Sequence, residues 1–197
     1  GTSLSSLSGA RVEIEFYHIF PIDSTNPPSG NVPTRTNSPA DVEIASATRD
    51  SVAGQLSFTT TILNSTFTAA NSVVNGINKA PNQFTGGEGA VTGEEVEFDV
   101  SFTTPVTLLT DQHDFFRPEV GLAGGNFLWL SAPRPIVAPG TPFPTTPTLI
   151  PDLQAWIRNA DLVPDWLRIG TDITQQGPFN MTFSLSGTTV TPLPSSV

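Results

Sequence analysis

Apolar and polar side chains alternate with a period of two along much of the chain. In residues 11–20, RVEIEFYHIF, one face is formed by Val12, Ile14, Phe16, His18 and Phe20, and the other by Glu13, Glu15 and Tyr17. In residues 94–102, EEVEFDVSF, every second residue from Val96 to Phe102 is apolar, and acidic or hydroxyl side chains lie between them. Such alternation is typical of a β-strand that buries one face. We therefore expect two strands here, each with one buried side.

Further segments extend this pattern over the chain. Residues 55–63 and 180–186 alternate in the same way and are rich in Thr, which favours strands. Shorter candidate strands lie at 42–47, 72–77, 106–109, 119–122, 127–131 and 188–191. No helical segment recurs between strands, so a parallel sheet is disfavoured. The sequence predicts an all-β fold, an antiparallel β-sandwich or jelly roll of about eight to ten strands.

Two proline-rich segments and one helical pattern interrupt the strands. Residues 26–39 and 133–151 contain too many prolines for central strands, so we expect ordered loops there. In the following segment, apolar residues at i, i+3, i+4 and i+7 predict a short helical insertion over about residues 151–169. We expect this insertion to close one end of the sandwich as a structural clamp formed by Trp156, Ile157, Trp166 and Leu167.

Composition narrows the range of functions. Eight basic and eighteen acidic residues give a formal charge of -10, which disfavours nucleic acids and anionic membranes as partners. Charged residues make up only 13% of the chain, so hydroxyl and amide side chains must cover the surface, as in many secreted β proteins. The chain has no cysteine and no apolar run long enough for a membrane span. It begins with Gly1, and we expect that a signal peptide has been removed.

Few titratable side chains are available for catalysis. His113 lies between Asp111 and Asp114 in TDQHDFF, which could form a base or metal site or be simply a polar turn. His18, on an apolar face, is better explained as a hydrogen-bonded core residue. The GxSxG pattern of many hydrolases is absent. No cofactor is predicted, although oxygen ligands would favour structural calcium at Asp23, Asp111 and Asp114.

The second half of the chain contains short sequence motifs that are specific enough to suggest a family. Residues 114–197 include FLWLSAP, PDWLR and GTDI, and these resemble secreted bacterial proteins that carry a PEP-CTERM sorting signal. In that family the domain is followed by a Val-Pro-Glu-Pro motif, a membrane helix and basic residues. Here residues 190–197, VTPLPSSV, are similar to the start of such a signal, with Leu193-Pro194 where the motif has Glu-Pro. The resemblance implies export to the cell surface or matrix, and it implies no catalytic residue.

These observations favour a structural protein over an enzyme. We expect one domain over residues 1–190, followed by a remnant of the sorting signal or a linker at 191–197. The leading hypothesis is an extracellular subunit of a filament or biofilm matrix that self-assembles when residues 1–10 add a strand to a neighbouring copy. The apolar residues inserted would be Leu4, Leu7, Val12 and Ile14. An alternative is a module that binds matrix polysaccharide through Trp129 or Trp166, and a third hypothesis is a hydrolase built on His113, Asp111 and Asp114.

Overall fold

A computed structural model describes residues 10–28, 32, 35–50, 53–74, 85–109, 112–132, 154–159 and 165–188 of the chain. The protein is all-β, as predicted, and its strands form several antiparallel sheets rather than a clear two-sheet sandwich. The described residues contain no helix that is long and apolar enough to cross a membrane. In chain order the strands are β1 (Arg11–Phe20), β2 (Ser38–Asp50), β3 (Ala53–Gly54), β4 (Leu56–Ala69), β5 (Val91–Phe102), β6 (Asp114–Gly121), β7 (Ser131–Ala132), β8 (Trp156–Asn159), β9 (Asp165–Arg168) and β10 (Asn180–Met181).

The largest sheet has the strand order β3-β2-β1-β6, so β1 is hydrogen-bonded on both sides. Both of its neighbours are antiparallel to it. Val12, Ile14 and Phe16 share one buried face of β1, as the alternation predicted. Tyr17 and Ile19 are each only 1% exposed on the opposite face. The expectation of a single buried side is therefore wrong for this strand, because a second layer covers its other face.

β4 and β5 form a separate two-stranded antiparallel ribbon. Phe58 lies opposite Val100, and both side chains pack against the core cluster beneath the ribbon. Glu97 and Asp99 of β5 are exposed on the outer face. The inward and outward faces predicted for residues 94–102 are thus confirmed.

The main hydrophobic core lies between the largest sheet and this ribbon. Its buried members are Ala10, Val12, Ile14, Phe16, Leu56 and Val120. Phe rings from the ribbon and the sheet meet at centroid distances near 6 Å, for example 6.1 Å between Phe16 and Phe102. Tilted ring pairs at such distances are favourable beyond their burial alone. The ribbon is therefore held to the protein by one face, and its outer face is left polar.

The helical insertion predicted over residues 151–169 is wrong. Trp156–Asn159 and Asp165–Arg168 are two short strands, β8 and β9, that pair antiparallel as a hairpin. The apolar residues that gave the helical spacing lie in and next to β8 alone, and pairing of β8 with β9 favours the extended form instead. Among the residues of this region that the structure describes, helical geometry occurs in a five-residue π-helix, Ile169–Ile173, which follows β9 directly.

Several short predicted strands also differ from the structure. Residues 106–109 and 127–130 are not strands, although Val106, Leu108 and Phe127 pack their side chains against the core. Apolar spacing therefore indicated burial there but not backbone pairing. Residues 72–74 and 188 are likewise not in strands, and the rest of those two predicted segments lies outside the described residues. The loop predicted at 133–151 and the segments 1–9 and 191–197 also lie outside them.

Candidate functional site

The second face of β1 carries a cluster of charged and aromatic side chains. The antiparallel register places Glu15 opposite Arg117 of β6, and Tyr17 opposite Phe115. Residues directly opposite each other in an antiparallel pair share a face, so Glu15, Tyr17 and Arg117 lie together. Two side chains of the β8–β9 hairpin, Arg158 and Trp166, contact Tyr17 on this face. We call Glu15, Tyr17, Arg117, Arg158 and Trp166 the clamp cluster.

A largely buried ion pair stands at the centre of the clamp cluster. The guanidinium Nη1 of Arg117 donates to Oε2 of Glu15, and its Nη2 contacts Glu119 on the same strand. The side chain of Glu15 is only 11% exposed, whereas that of Glu119 is 45% exposed. Burial acts to lower the pKa of Arg117, but the attraction of Glu15 and Glu119 outweighs it and the pKa is raised. Arg117 therefore keeps its positive charge, which compensates the negative charge of the Glu15 carboxylate.

Tyr17 joins this ion pair to the hairpin. Its hydroxyl donates to Oε2 of Glu15 at 2.9 Å and accepts a hydrogen bond from Nη1 of Arg158 at 3.1 Å. The ring of Trp166 meets the Tyr17 ring edge-on, with centroids 5.3 Å apart. The guanidinium of Arg158 lies over the Trp166 ring, 5.7 Å from its centroid. One tyrosine thus connects β1, β6 and the β8–β9 hairpin.

The phenol of Tyr17 is expected to titrate far above its ordinary range. Burial, the hydrogen bond to Glu15 and the charge of Glu15, in that order of size, together raise its pKa to about 12. Because the folded-state pKa exceeds the unfolded value near 10, this contribution to stability is fully present below pH 10 and is lost as the pH rises from about 10 to 12. Tyr17 is the only tyrosine, so the tyrosinate absorption of the whole protein reports it alone.

We expect the tyrosinate signal of the folded protein to appear about two units higher than that of the protein in denaturant. A single folded-state midpoint near 10 would contradict the buried position of the phenol. A Glu15→Gln variant provides the matched comparison, since it removes the carboxylate charge and leaves the ring buried. The midpoint of its tyrosinate titration should fall between the midpoint of the folded natural protein and that of the protein in denaturant.

The hairpin side of the clamp cluster has two unusual polar atoms. The indole Nε1 atoms of Trp156 and Trp166 are buried and have no hydrogen-bond partner among the described residues. Trp166 is only 3% exposed, so its ring cannot stack on a sugar in this conformation. This contradicts the expectation that Trp166 contacts a glycan. Through these contacts the clamp cluster joins β1 and β6 to the β8–β9 hairpin.

The π-helix after β9 connects the β8–β9 hairpin to the segment between β4 and β5. Arg168 donates from its backbone N, Nε and Nη2 to the carboxylate of Asp172, at 2.6 to 2.9 Å. The backbone of Gly86 then donates to the carbonyl of Ile173 at 3.0 Å. Gly170 lies so close to the carbonyl of Gly177 that a Cβ atom would come within 2.0 Å of it, which explains the glycine in GTDI. Arg168 thus forms a bidentate ion pair with Asp172, four residues further along the chain.

Two His–Asp pairs join the end of β1 to the start of β6. Nδ1 of His18 donates to Asp114 at 2.7 Å, and Nδ1 of His113 donates to Asp23 at 3.0 Å. The carboxylate of Asp23 also accepts the backbone N–H of His113 at 3.1 Å. His18 is thus hydrogen-bonded, as expected. Of the predicted hydrolase group, Asp114 pairs with His18 instead of His113, and Asp111 lies outside the described residues.

The same pairs bear on the predicted calcium site. Asp23 and Asp114 each accept a hydrogen bond from a different histidine. Asp111 lies outside the described residues. Within the described part of the chain, no group of three or more His, Asp or Glu side chains could hold a metal ion. The geometry therefore gives the calcium prediction no support.

Trp129 lies in a second aromatic group, away from the clamp cluster. Its ring meets Phe116 edge-on at 5.7 Å, and Phe183 lies 6.2 Å from it. The indole Nε1 donates to the carbonyl of Thr182 at 2.6 Å. Phe183 is 52% exposed and Leu185 is 57% exposed, so this group reaches the surface. Trp129 remains a candidate contact for a glycan, with Phe183 as a neighbour that the sequence did not single out.

Of the four residues proposed for a subunit interface, two are buried in the core and two lie outside the described residues. Val12 and Ile14 are each 1% exposed and belong to the protein's own core, so a partner cannot reach them in this fold. This corrects the prediction for both residues. Ala10 is also a core residue, at 3% exposure, which shortens the predicted exchange arm to residues 1–9. Leu4 and Leu7 lie within that arm and outside the described residues.

Comparisons with known proteins give no relative from which a function could be transferred. No family model, no curated protein and no solved structure matches the chain. The resemblance of residues 114–197 to PEP-CTERM proteins accordingly stays a prediction.

Proposed function

We propose that this protein is an extracellular structural protein, a self-assembling subunit of a surface filament or biofilm matrix, without enzymatic activity. The observation that carries the proposal is the β4–β5 ribbon. Its strands of 14 and 12 residues pair only with each other in the described part of the chain. Long strands at the edge of a sheet are templates for strand addition by another chain, and we infer that assembly takes place at this ribbon.

The position of the ribbon supports this role. Its inner face is anchored on the main core through Phe58, Phe98 and Val100, so the ribbon is firmly attached. A two-stranded sheet is marginally stable alone, and additional strands make it more stable. Beyond Ile62 most side chains of β4 are exposed, and Leu63 is 59% exposed. Adding strands from another chain at this ribbon would thus make it more stable.

The donor strand predicted from the sequence is the segment before β1. After removal of Ala10, Val12 and Ile14 from that prediction, residues 1–9 with Leu4 and Leu7 remain as the exchange arm. A head-to-tail contact of this kind does not close on itself and generates a filament. The low charge density of the chain and the resemblance to exported proteins support a location outside the cell.

Electron microscopy of the purified protein tests the assembly. We expect fibres or extended clusters from the intact chain and shorter or no fibres after deletion of residues 1–9. The matched control is a Leu4→Ser/Leu7→Ser variant, which keeps the length of the arm and removes its apolar side chains. Monodisperse particles from the intact chain at every concentration would contradict the proposal. Fibres that are unchanged by both variants would contradict only the role of the arm.

A second candidate function, polysaccharide binding, is favoured by the exposed aromatic group around Trp129. Exposed aromatic rings are common platforms for sugar rings, and Phe183 is half exposed beside Trp129. If the group binds a glycan, Phe183→Ala should abolish binding to matrix polysaccharide and leave assembly intact. Unchanged retention of the variant on the polysaccharide would exclude this face.

A further inference from the structure

The pattern Asn-X-Ser/Thr, at which oligosaccharides are attached to asparagine in secreted proteins, occurs twice in the sequence. The two copies are Asn64-Ser65-Thr66 and Asn180-Met181-Thr182. A sequence match alone is a weak indication, because such short patterns are common and the attached group is bulky and has to lie at the surface. The structure describes both copies, so their surroundings can be compared.

The first copy lies where strand β4 becomes irregular. Exposed and half-buried side chains alternate over residues 57–62, whereas the four consecutive side chains of residues 63–66 are all exposed. The register with β5 shifts between Ile62 and Asn64 and again between Asn64 and Phe67. Such shifts mark β-bulges, which bend a strand and re-aim its side chains. The local fold therefore presents the whole Asn-X-Thr pattern to solvent.

The side chain of Asn64 is held by its oxygen. Oδ1 accepts the backbone N–H of Thr66 at 3.1 Å, which is the hydrogen bond of an Asx turn. A backbone N–H donates to an oxygen, so this contact leaves Nδ2 as the other end of the amide. Among the described residues, neither Nδ2 of Asn64 nor the hydroxyl of Thr66 has a hydrogen-bond partner. The amide nitrogen that receives the sugar and the hydroxyl two residues later are thus both available.

The second copy is held in a sheet. Asn180 and Met181 form β10 and pair with β7. Both the backbone N–H and the hydroxyl of Thr182 donate to the carbonyl of Leu130, at 2.9 and 3.0 Å. Asn180 is half-buried, and its Oδ1 accepts the adjacent N–H of Met181 at 2.9 Å. The hydroxyl that the pattern requires is therefore occupied by a contact within the fold.

We propose that Asn64 is a site of N-glycosylation in the folded protein and that Asn180 is not. The inference rests on the proposed location outside the cell and does not depend on self-assembly. The acceptor is Nδ2 of Asn64, and the donor is a sugar activated as a lipid-linked glycosyl diphosphate, brought together by a transferase. Nδ2 forms a bond with the anomeric carbon, the bond from that carbon to the diphosphate oxygen breaks, and the lipid diphosphate leaves with the electron pair. One amide proton is released.

The position suits a bulky polar group. Leu63, next to Asn64, is 59% exposed, although the other large apolar side chains of β4 are at least half-buried. An attached oligosaccharide is large and hydrophilic, and it would cover this apolar side chain. The modification would therefore act at the place on β4 where the bare chain exposes most apolar surface.

Peptide mass spectrometry of the protein purified from its natural source is the first test. Enzymatic removal of N-linked oligosaccharides converts a glycosylated asparagine into aspartate, so the converted peptide identifies the position. We expect conversion at Asn64 and none at Asn180. Unconverted Asn64 would overturn the proposal. Equal conversion at both positions would overturn the argument from the fold, because the two copies differ only in their surroundings.

Transfer to the purified, folded chain tests the role of each group. The protein is incubated with an oligosaccharyltransferase and a lipid-linked oligosaccharide, and the glycosylated fraction is measured. Thr66→Val keeps the shape of the side chain and the backbone N–H that donates to Asn64, but it removes the hydroxyl, so we expect transfer to be lost. Thr66→Ser retains the hydroxyl and should retain transfer. Equal transfer to Thr66→Val and the natural chain would overturn the assignment.

Asn180→Gln is the matched control for Asn64→Gln. We expect Asn64→Gln to abolish transfer and Asn180→Gln to leave the glycosylated fraction unchanged, and the reverse result would overturn the proposal. Fibres formed by a natural chain that carries no glycan would also overturn it, and they would leave the proposed function standing. A glycosylated chain that stays monomeric at every concentration would support this inference and contradict only the self-assembly.

Discussion

A Trp166→Ala variant is expected to lose about 3 to 5 kcal/mol of unfolding free energy, the range for deletion of a large buried aromatic side chain. Trp166 is 3% exposed and contacts the Tyr17 ring on one side and the Arg158 guanidinium on the other. Its removal leaves a cavity between β1 and the β8–β9 hairpin. It also takes away the surface on which Arg158 lies, so the hydrogen bond from Arg158 to Tyr17 loses support.

Trp166→Phe is the informative control. It retains an aromatic ring and removes the buried indole N–H that has no partner among the described residues. An unpaired buried donor is itself unfavourable, so we expect this variant to lose much less, under about 1.5 kcal/mol. Denaturant unfolding of the three proteins measures both values. Trp166→Ala with unchanged stability would contradict the clamp cluster as a structural joint.

The second large effect is expected at Arg117. An Arg117→Met variant leaves the carboxylate of Glu15 buried without its cation, and breaking a buried ion pair typically costs about 3 to 5 kcal/mol. Because the Arg117 side chain is 30% exposed, we expect the lower end of that range.

Glu119→Gln is the matched control for this prediction. Glu119 contacts the same guanidinium but is 45% exposed, so its removal should change stability by less than about 1 kcal/mol. The double variant Glu15→Gln/Arg117→Met should recover part of the loss, since no charge is then left buried. Equal losses of unfolding free energy from Arg117→Met and Glu119→Gln would mean that the ion pair of Arg117 with Glu15 stabilises the fold no more than its contact with Glu119.

Alternation along single strands could be predicted from the sequence. The inward series of β5 and the core face of β1 follow from the period of two, because each depends only on neighbours along the chain. The all-β class follows from the same pattern. Val106 and Phe127 mark the limit of this reasoning, since their side chains are packed on the core while their backbones join no strand.

A structural role of Trp166 was predicted, but the polar part of the clamp cluster could not be, because it depends on pairing between distant segments. Glu15 and Arg117 lie far apart in the chain and meet only through the register of β1 with β6. Trp156 and Trp166 fitted a helical stripe as well as two strands, and only contact with Tyr17 favours the hairpin. His113 is next to Asp114 in sequence, yet the structure pairs it with Asp23.

Sedimentation velocity of the intact chain over a wide range of concentrations tests the central claim most directly. Self-assembly predicts that the sedimentation coefficient rises with concentration, and that added salt promotes the rise by screening the charge of -10 on each copy. A single species with the mass of the 20.9 kDa chain at every concentration and salt level would contradict it.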